Sequence, residues 1–174
     1  MKFQFPPDNP ADAGDTDAMY GGRLSKNAPG VVACGDVDEL NAALGLLRVC
    51  ELSSEMIEQI DTIQGHLVTL MGLLSVPPAK REKYLADGFG AISGDDIGWL
   101  ESIAVAMPTK FDGWARPGAS GGEPAARMDM TRTICRRAER SAWAVEDVSQ
   151  EACRFLNRLS DVLWLWARKL ENEA

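Results

Sequence analysis

Apolar residues recur at helical spacing over most of the chain. Val37, Leu40, Leu44 and Leu47 fall about one turn apart and predict a first helix that ends near Leu52. Asp36, with Glu39 three residues later, has capping-box spacing with Asp in the Ser/Thr role, which puts the helix start at Asp36. Ser53 or Ser54 caps a second helix. Ile60, Ile63, Leu67, Leu70, Met71 and Leu74 form its stripe, and Pro77 and Pro78 stop it. Residues 79–92 read as a connector with room for a short helix. A third main helix spans Ser93 to Met107, with Ile97, Leu100, Ile103, Ala104 and Met107 inward. Residues 108–123 form a loop rich in Gly and Pro. A fourth helix then runs from about Glu123 to Glu146, with Pro124 suited to its first turn. The fifth runs from about Ser149 to Glu171 and lines up Leu156, Leu159, Leu163, Trp166 and Leu170. No β-alternation competes. The expectation is an all-α fold, a five-helix up-and-down bundle forming one domain over 1–174. Residues 1–30 break every period with Pro6, Pro7, Pro10, Gly14, Gly21, Gly22, Pro29 and Gly30, and predict an extended N-terminal arm.

Composition narrows the class. The chain has 174 residues, 45% apolar and 25% charged, which is ample for one core. A net charge of −8 argues against nucleic acid and anionic membrane as partners, because both reward positive fields. No long uncharged apolar run predicts a membrane helix, and the start lacks signal-peptide character, so the cytoplasm is the expected location. Cys34, Cys50, Cys135 and Cys153 form no C-x-x-C pair and are expected as buried free thiols. The single histidine, His66, lies among apolar neighbours, which leaves neither a zinc site nor a Ser-His-Asp arrangement to argue.

The fourth helix carries the candidate chemistry. Arg132, Arg136, Glu139 and Arg140 share one side at i, i+4, i+7 and i+8, and Arg137 lies about 100° round. Repeated positive charge at i,i+4 repels itself unless an anion is near, and the planar guanidinium fork suits phosphate. A solvated basic face relieved by Glu139 and Asp161 accounts for the spacing as well. On the fifth helix Arg158 and Asp161 have ion-pair spacing, and Asn157 offers an amide either to a ligand or to solvent. In the arm, Gly14-Asp15, Gly21-Gly22-Arg23 and Ser25-Lys26 could bring backbone N–H groups and a point charge to phosphate, although no Walker A string is present. Asp38, beside Glu39, either favours the helix dipole or pairs with an arginine, Arg132 being the natural candidate. Trp114 sits in the loop just before Arg116-Pro117-Gly118.

These pieces fall in the order of the PduO-type ATP:cob(I)alamin adenosyltransferases. Ser25-Lys26, Pro29, Val31, Ala33, Gly35 and Asp38-Glu39-Leu40-Asn41 resemble the family's S-K-x-x-P-x-V-x-A-x-G-x-x-D-E-L-N run. Ile63-Gln64 with Leu67 and Trp99-Leu100-Glu101 are similar to its second- and third-helix motifs. Thr131 to Arg140 resembles A-R-x-x-C-R-R-A-E-R, and Leu156 to Asp161 reads L-N-R-L-S-D. The resemblance spans Gly14 to Arg168. It implies a five-helix bundle, a homotrimer with ATP between subunits, and transfer of the 5′-deoxyadenosyl group of ATP to cob(I)alamin. Adenosylcobalamin and triphosphate would be the products, and Mg²⁺ would accompany the triphosphate. The cobalt would be the nucleophile, so the protein needs none of its own. The resemblance assigns ATP binding to Gly14, Asp15, Lys26, Arg136, Arg137, Glu139, Arg140 and Asn157. It assigns catalytic roles to Arg132, Arg136 and Asp38, and the corrinoid side to Trp114, Asp38 and Arg132. No protein-held metal is expected. The chain departs from the family in its arm, where only Gly14-Asp15 of T-R-x-G-D-x-G-x-T survives and Asp12 replaces the basic residue. It departs again at Asp129, where a histidine is usual. A catalytically impaired relative that binds nucleotide or corrinoid as a carrier or regulator is the alternative that these departures leave open.

Overall fold

The computed structural model describes residues 10–107 and 116–173. Within them lie five long helices: α1 (Pro29–Leu47), α2 (Ser54–Leu74), α4 (Gly94–Val105), α5 (Gly122–Trp143) and α6 (Gln150–Asn172). A short α3 (Arg81–Ala86) occupies the connector after α2. The fold is the expected all-α bundle. α1 packs between α2 and α5, and α6 packs between α5 and α4. The bundle closes through His66 of α2, which meets the ring of Trp99 on α4 at 5.8 Å and that of Phe155 on α6 at 5.3 Å.

The core follows from the apolar stripes. Leu40 and Leu44 of α1, Ile60, Ile63 and Leu67 of α2, Met128 of α5, and Phe155, Leu159 and Trp166 of α6 are buried together. Three starts lie where the serines predict them. Ser53 accepts from the Met56 N–H, and Ser149 from the Ala152 N–H. Ser93 forms a full capping box with Asp96, so the first free N–H groups of α4 find partners.

The start of α1 differs from the sequence expectation by seven residues. The helix begins at Pro29 rather than Asp36, with Ala28 extended before it. Pro at the first position loses no helical hydrogen bond, and its fixed φ suits the first turn. The turn before it is closed by the Ala28 N–H donating to the Ser25 carbonyl at 2.9 Å. Gly30 then sits inside the helix because a Cβ there would lie 2.7 Å from the Leu74 carbonyl oxygen, so only glycine lets α1 approach the end of α2 this closely. Asp36 and Glu39 are therefore interior to α1, and their carboxylates serve another helix.

The arm contains a small hairpin. β1 (Asp15–Asp17) pairs antiparallel with β2 (Arg23–Ser25), with Thr16 opposite Leu24. Three-residue strands are too short to show a period of two, which is why the sequence pattern does not reveal them.

Candidate functional site

Two groups of side chains stand out. The first is made by the hairpin. Its register sets Asp15 opposite Ser25, and the Lys26 N–H donates to the Gly14 carbonyl at 2.8 Å. Gly14-Asp15 and Lys26, apart in sequence, are thereby held side by side. Lys26 is exposed and makes no ion pair among the described residues. Arg23 pairs with Asp17 at 3.1 Å and lies 3.9 Å from Asp15.

The second group lies on α5 and α6, which pack closely on each other, with Cys135 and Cys153 buried in the core. Cys135 donates its thiol to the Leu156 carbonyl at 3.2 Å. Burial, reinforced by the charge of Glu139, pushes the Cys135 thiol far above its ordinary range, and the same two causes push Cys153 up to about 11. Neither is a nucleophile at neutral pH.

Along α5 the arginines divide by partner. Arg127 pairs with Glu123, and Arg132 donates through Nε to Asp129 at 3.1 Å. Arg137 crosses to α1, where it pairs with Glu39 and, at 3.3 Å, with Asp36. Ser141 also donates to Asp36. The hydrogen bond to Glu39 outweighs the cost of burial and holds the Arg137 pKa above its ordinary value. Arg136 and Arg140 differ. Both are exposed, and neither has a carboxylate partner among the described residues. Arg140 donates only to the Arg136 carbonyl, at 2.9 Å. Two cations one turn apart thus stand free for an anion, while their neighbours are engaged.

Beside them runs a polar relay. Asn157 donates its amide to Glu139 at 3.2 Å and accepts from Arg158 at 2.9 Å. Arg158 is held by Glu101 of α4 at 3.0 Å and by Asp161 at 3.4 Å. The Arg158–Asp161 pair has the predicted spacing, while the tie to Glu101 is a tertiary contact the sequence does not announce. The structure brings Arg136, Glu139, Arg140 and Asn157 together on one surface. Arg137 lies to the side, as a strut between α5 and α1.

The expected partnership of Asp38 with Arg132 is absent within the chain. Asp38 is exposed on α1 without an ion pair among the described residues, and Arg132 turns to Asp129 instead. Asp38 sits mid-helix because α1 starts earlier than its spacing suggests. Trp114 lies outside the described residues. Three functional candidates were not anticipated. Asp36 and Ser141 position Arg137, and Arg168 forms a buried bridge to Asp129 at 2.5 Å. Their partners lie far away in sequence, so no local spacing marks them. No hydrogen bond or ion pair joins Gly14, Asp15 or Lys26 to the α5–α6 group among the described residues. The two groups are therefore separate among the described residues.

The helical bundle thus presents an arginine pair without carboxylate partners among the described residues, beside a carboxylate–amide relay. The cobalamin adenosyltransferase profile matches residues 9–170 of this chain, and the chain belongs to that family. It is 36% identical to a cobalamin adenosyltransferase of Cupriavidus metallidurans over 91% of this chain and 84% of that one. It is 35% identical to the corrinoid adenosyltransferase PduO of Salmonella typhimurium over 94% of this chain, which spans 48% of that longer protein. In three dimensions it resembles a variant of the PduO-type ATP:corrinoid adenosyltransferase from Lactobacillus reuteri, complexed with cobalamin and ATP. The TM-score is 0.80 at 30% identity, covering 94% of this chain and 93% of that one.

Proposed function

We propose that this chain transfers the 5′-deoxyadenosyl group of ATP to the cobalt of cob(I)alamin, giving adenosylcobalamin and triphosphate. The observation that carries the reading is the free Arg136–Arg140 pair beside the Glu139–Asn157 relay, on a chain whose relatives are corrinoid adenosyltransferases. The cobalt supplies the electron pair that displaces triphosphate from C5′. The protein's work is to orient that carbon and to stabilise charge on the leaving group. Arg136 and Arg140 meet the phosphates with fixed positive charge. Glu139, steadied by Asn157, accepts from the adenosine moiety. Arg137 keeps α5 in register with α1 at the edge of the site. Gly14, Asp15 and Lys26 approach the phosphates from the arm, Lys26 as a point charge. Arg132, Asp38 and Trp114 belong to the corrinoid side.

The two groups are separate among the described residues, which fits a homotrimer in which the arm of one subunit meets α5 of the next. Mg²⁺ would arrive with the nucleotide. Among the described residues there is no group of three or more His, Cys, Asp or Glu that could hold a metal ion. No helix among them is long and apolar enough to cross a membrane. A cytoplasmic location matches the reduced corrinoid and the free thiols.

The test is direct. Protein, ATP, Mg²⁺ and chemically reduced cobalamin are incubated, and the adenosylcobalamin spectrum is followed. Product formation is expected. Corrinoid binding without product would overturn the enzymatic reading in favour of a carrier.

A further inference from the structure

Asp129 is the only buried carboxylate among the described residues, at 3% exposure. It lies between two guanidinium groups. One oxygen accepts from Arg132 Nε at 3.1 Å, and the other from Arg168 Nη2 at 2.5 Å. Arg168 is itself 5% exposed and is clamped by Glu171 at 2.7 and 2.9 Å, with its guanidinium 5.5 Å from the Trp164 ring. Burial opposes the charge on Arg168, but Glu171 and Asp129 outweigh it and keep the group above its ordinary pKa. The backbone also locks this corner. Gly121, at φ +73°, ends the loop before α5, and a Cβ there would lie 3.0 Å from the Glu171 backbone, so the start of α5 rests directly on the end of α6.

A buried ion pair is a poor device for stability alone, since an apolar pair of the same volume does as well or better. Its geometric consequence is different. Arg132 spends Nε on Asp129, and its terminal nitrogens make no hydrogen bond among the described residues. Its side chain is 24% exposed. The fork is thus fixed at its base, with its outer donors at the surface. An arginine held in this way loses less rotamer freedom when it engages a partner.

We propose that Asp129 is a positioning residue for Arg132: the buried Arg168–Asp129 bridge anchors Nε and so sets the orientation of the Arg132 donors toward the corrinoid side. The functional consequence rests on the adenosyltransferase reading, while the anchoring itself does not.

A double-mutant cycle tests it. Asp129→Asn is compared with wild type, and Asp129→Asn/Arg132→Ala with Arg132→Ala, measuring kcat and KM for cobalamin and for ATP separately. If Asp129 acts through Arg132, Asp129→Asn lowers kcat or raises the cobalamin KM by about 10- to 100-fold in the presence of Arg132. It changes little in its absence, and the ATP KM moves least. Equal losses in both backgrounds would overturn the proposal, because a merely structural defect does not depend on Arg132. Should Asp129→Asn fold poorly, Asp129→Asn/Arg168→Met removes both buried charges. It is expected to regain thermal stability while keeping the kinetic defect, and recovery of both would contradict the assignment. If wild type proves inactive, the functional reading fails separately. The anchoring is then read from the Arg132 Nε–H signal by NMR. Exchange that is slow in wild type and fast in Asp129→Asn supports it, and equal exchange refutes it.

Discussion

Replacing Arg136 by alanine should separate binding from folding. Arg136 is exposed and has no carboxylate partner among the described residues, so its removal breaks no ion pair there. It also relieves i,i+4 repulsion with Arg132 and Arg140, worth roughly 0.2–0.5 kcal/mol per pair. Stability should therefore not fall by more than about 0.5 kcal/mol below wild type. Activity should not. A hydrogen bond from an ionised donor contributes about 1.5–3 kcal/mol, which corresponds to roughly 10- to 150-fold in kcat/KM for ATP. Arg137→Ala makes the opposite case. It removes the ties to Asp36 and Glu39, but that side chain is 42% exposed, so solvent screening limits the loss to about 1 kcal/mol. For a chain of this size that lowers Tm by about 2–4 °C. The assay is adenosylcobalamin formation against ATP concentration, paired with thermal denaturation of both variants. Arg136→Ala with wild-type kcat/KM, or with a Tm loss larger than that of Arg137→Ala, would refute the division of the arginines into free and engaged.

Further consequences concern the scaffold. Phe155→Ala empties a fully buried ring position shared by α6 and His66, and should cost about 3–5 kcal/mol by denaturant titration. Ser93→Ala removes the α4 capping box and should cost about 0.5–2 kcal/mol by the same measurement. The partner in that box also predicts a pH dependence. Burial raises the Asp96 pKa, but hydrogen bonds from Ser93 and the nearby His66 outweigh it and leave it below its ordinary 3.8. A depressed folded-state pKa means that this stabilisation is complete above that value and fades as pH falls through the lower folded one. The stability gap between wild type and Asp96→Asn should accordingly close in acid, and a gap that widens there would reverse the sign. At pH 8, a thiol alkylating agent should label the half-buried Cys50 before Cys135 and Cys153, whose pKa values burial raises, as read by peptide mass.

The helices were legible because each buries one stripe, and a stripe such as Ile60, Ile63, Leu67, Leu70 and Leu74 needs no partner to be recognised. The serine caps were legible for the same local reason. Asp36 misled because a carboxylate three residues before Glu39 has the spacing of a cap whether its partner is its own backbone or another helix. Here it is Arg137, 101 residues away. The basic face of α5 could be seen, but its sorting could not. Arg136 and Arg137 are adjacent and chemically identical, and only the packing of α1 against α5 engages one and leaves the other free. The Asp129–Arg168 bridge was hidden in the same way. In sequence Asp129 reads as a lost histidine, and its partner stands 39 residues on, in the last turns of α6.

The same logic bears on the arm, where acidic residues replace much of the family's pattern. Carboxylates facing a triphosphate would oppose it, and by count Asp12, Asp15 and Asp17 are a heavy load. The hairpin alters that balance. Arg23 on β2 crosses to Asp17 and lies near Asp15 on β1, so two of the three charges meet a cation within the arm itself. Lys26, whose backbone N–H donates to the Gly14 carbonyl, has no ion pair among the described residues. Asp12 is exposed, has no ion pair among the described residues, and lies where the family resemblance places a basic residue. If the arm does meet the phosphates, Asp12→Arg should lower the KM for ATP, and Arg23→Ala should raise it by releasing the two carboxylates. A KM unmoved by both would place the arm away from the nucleotide and leave the phosphates to α5 alone.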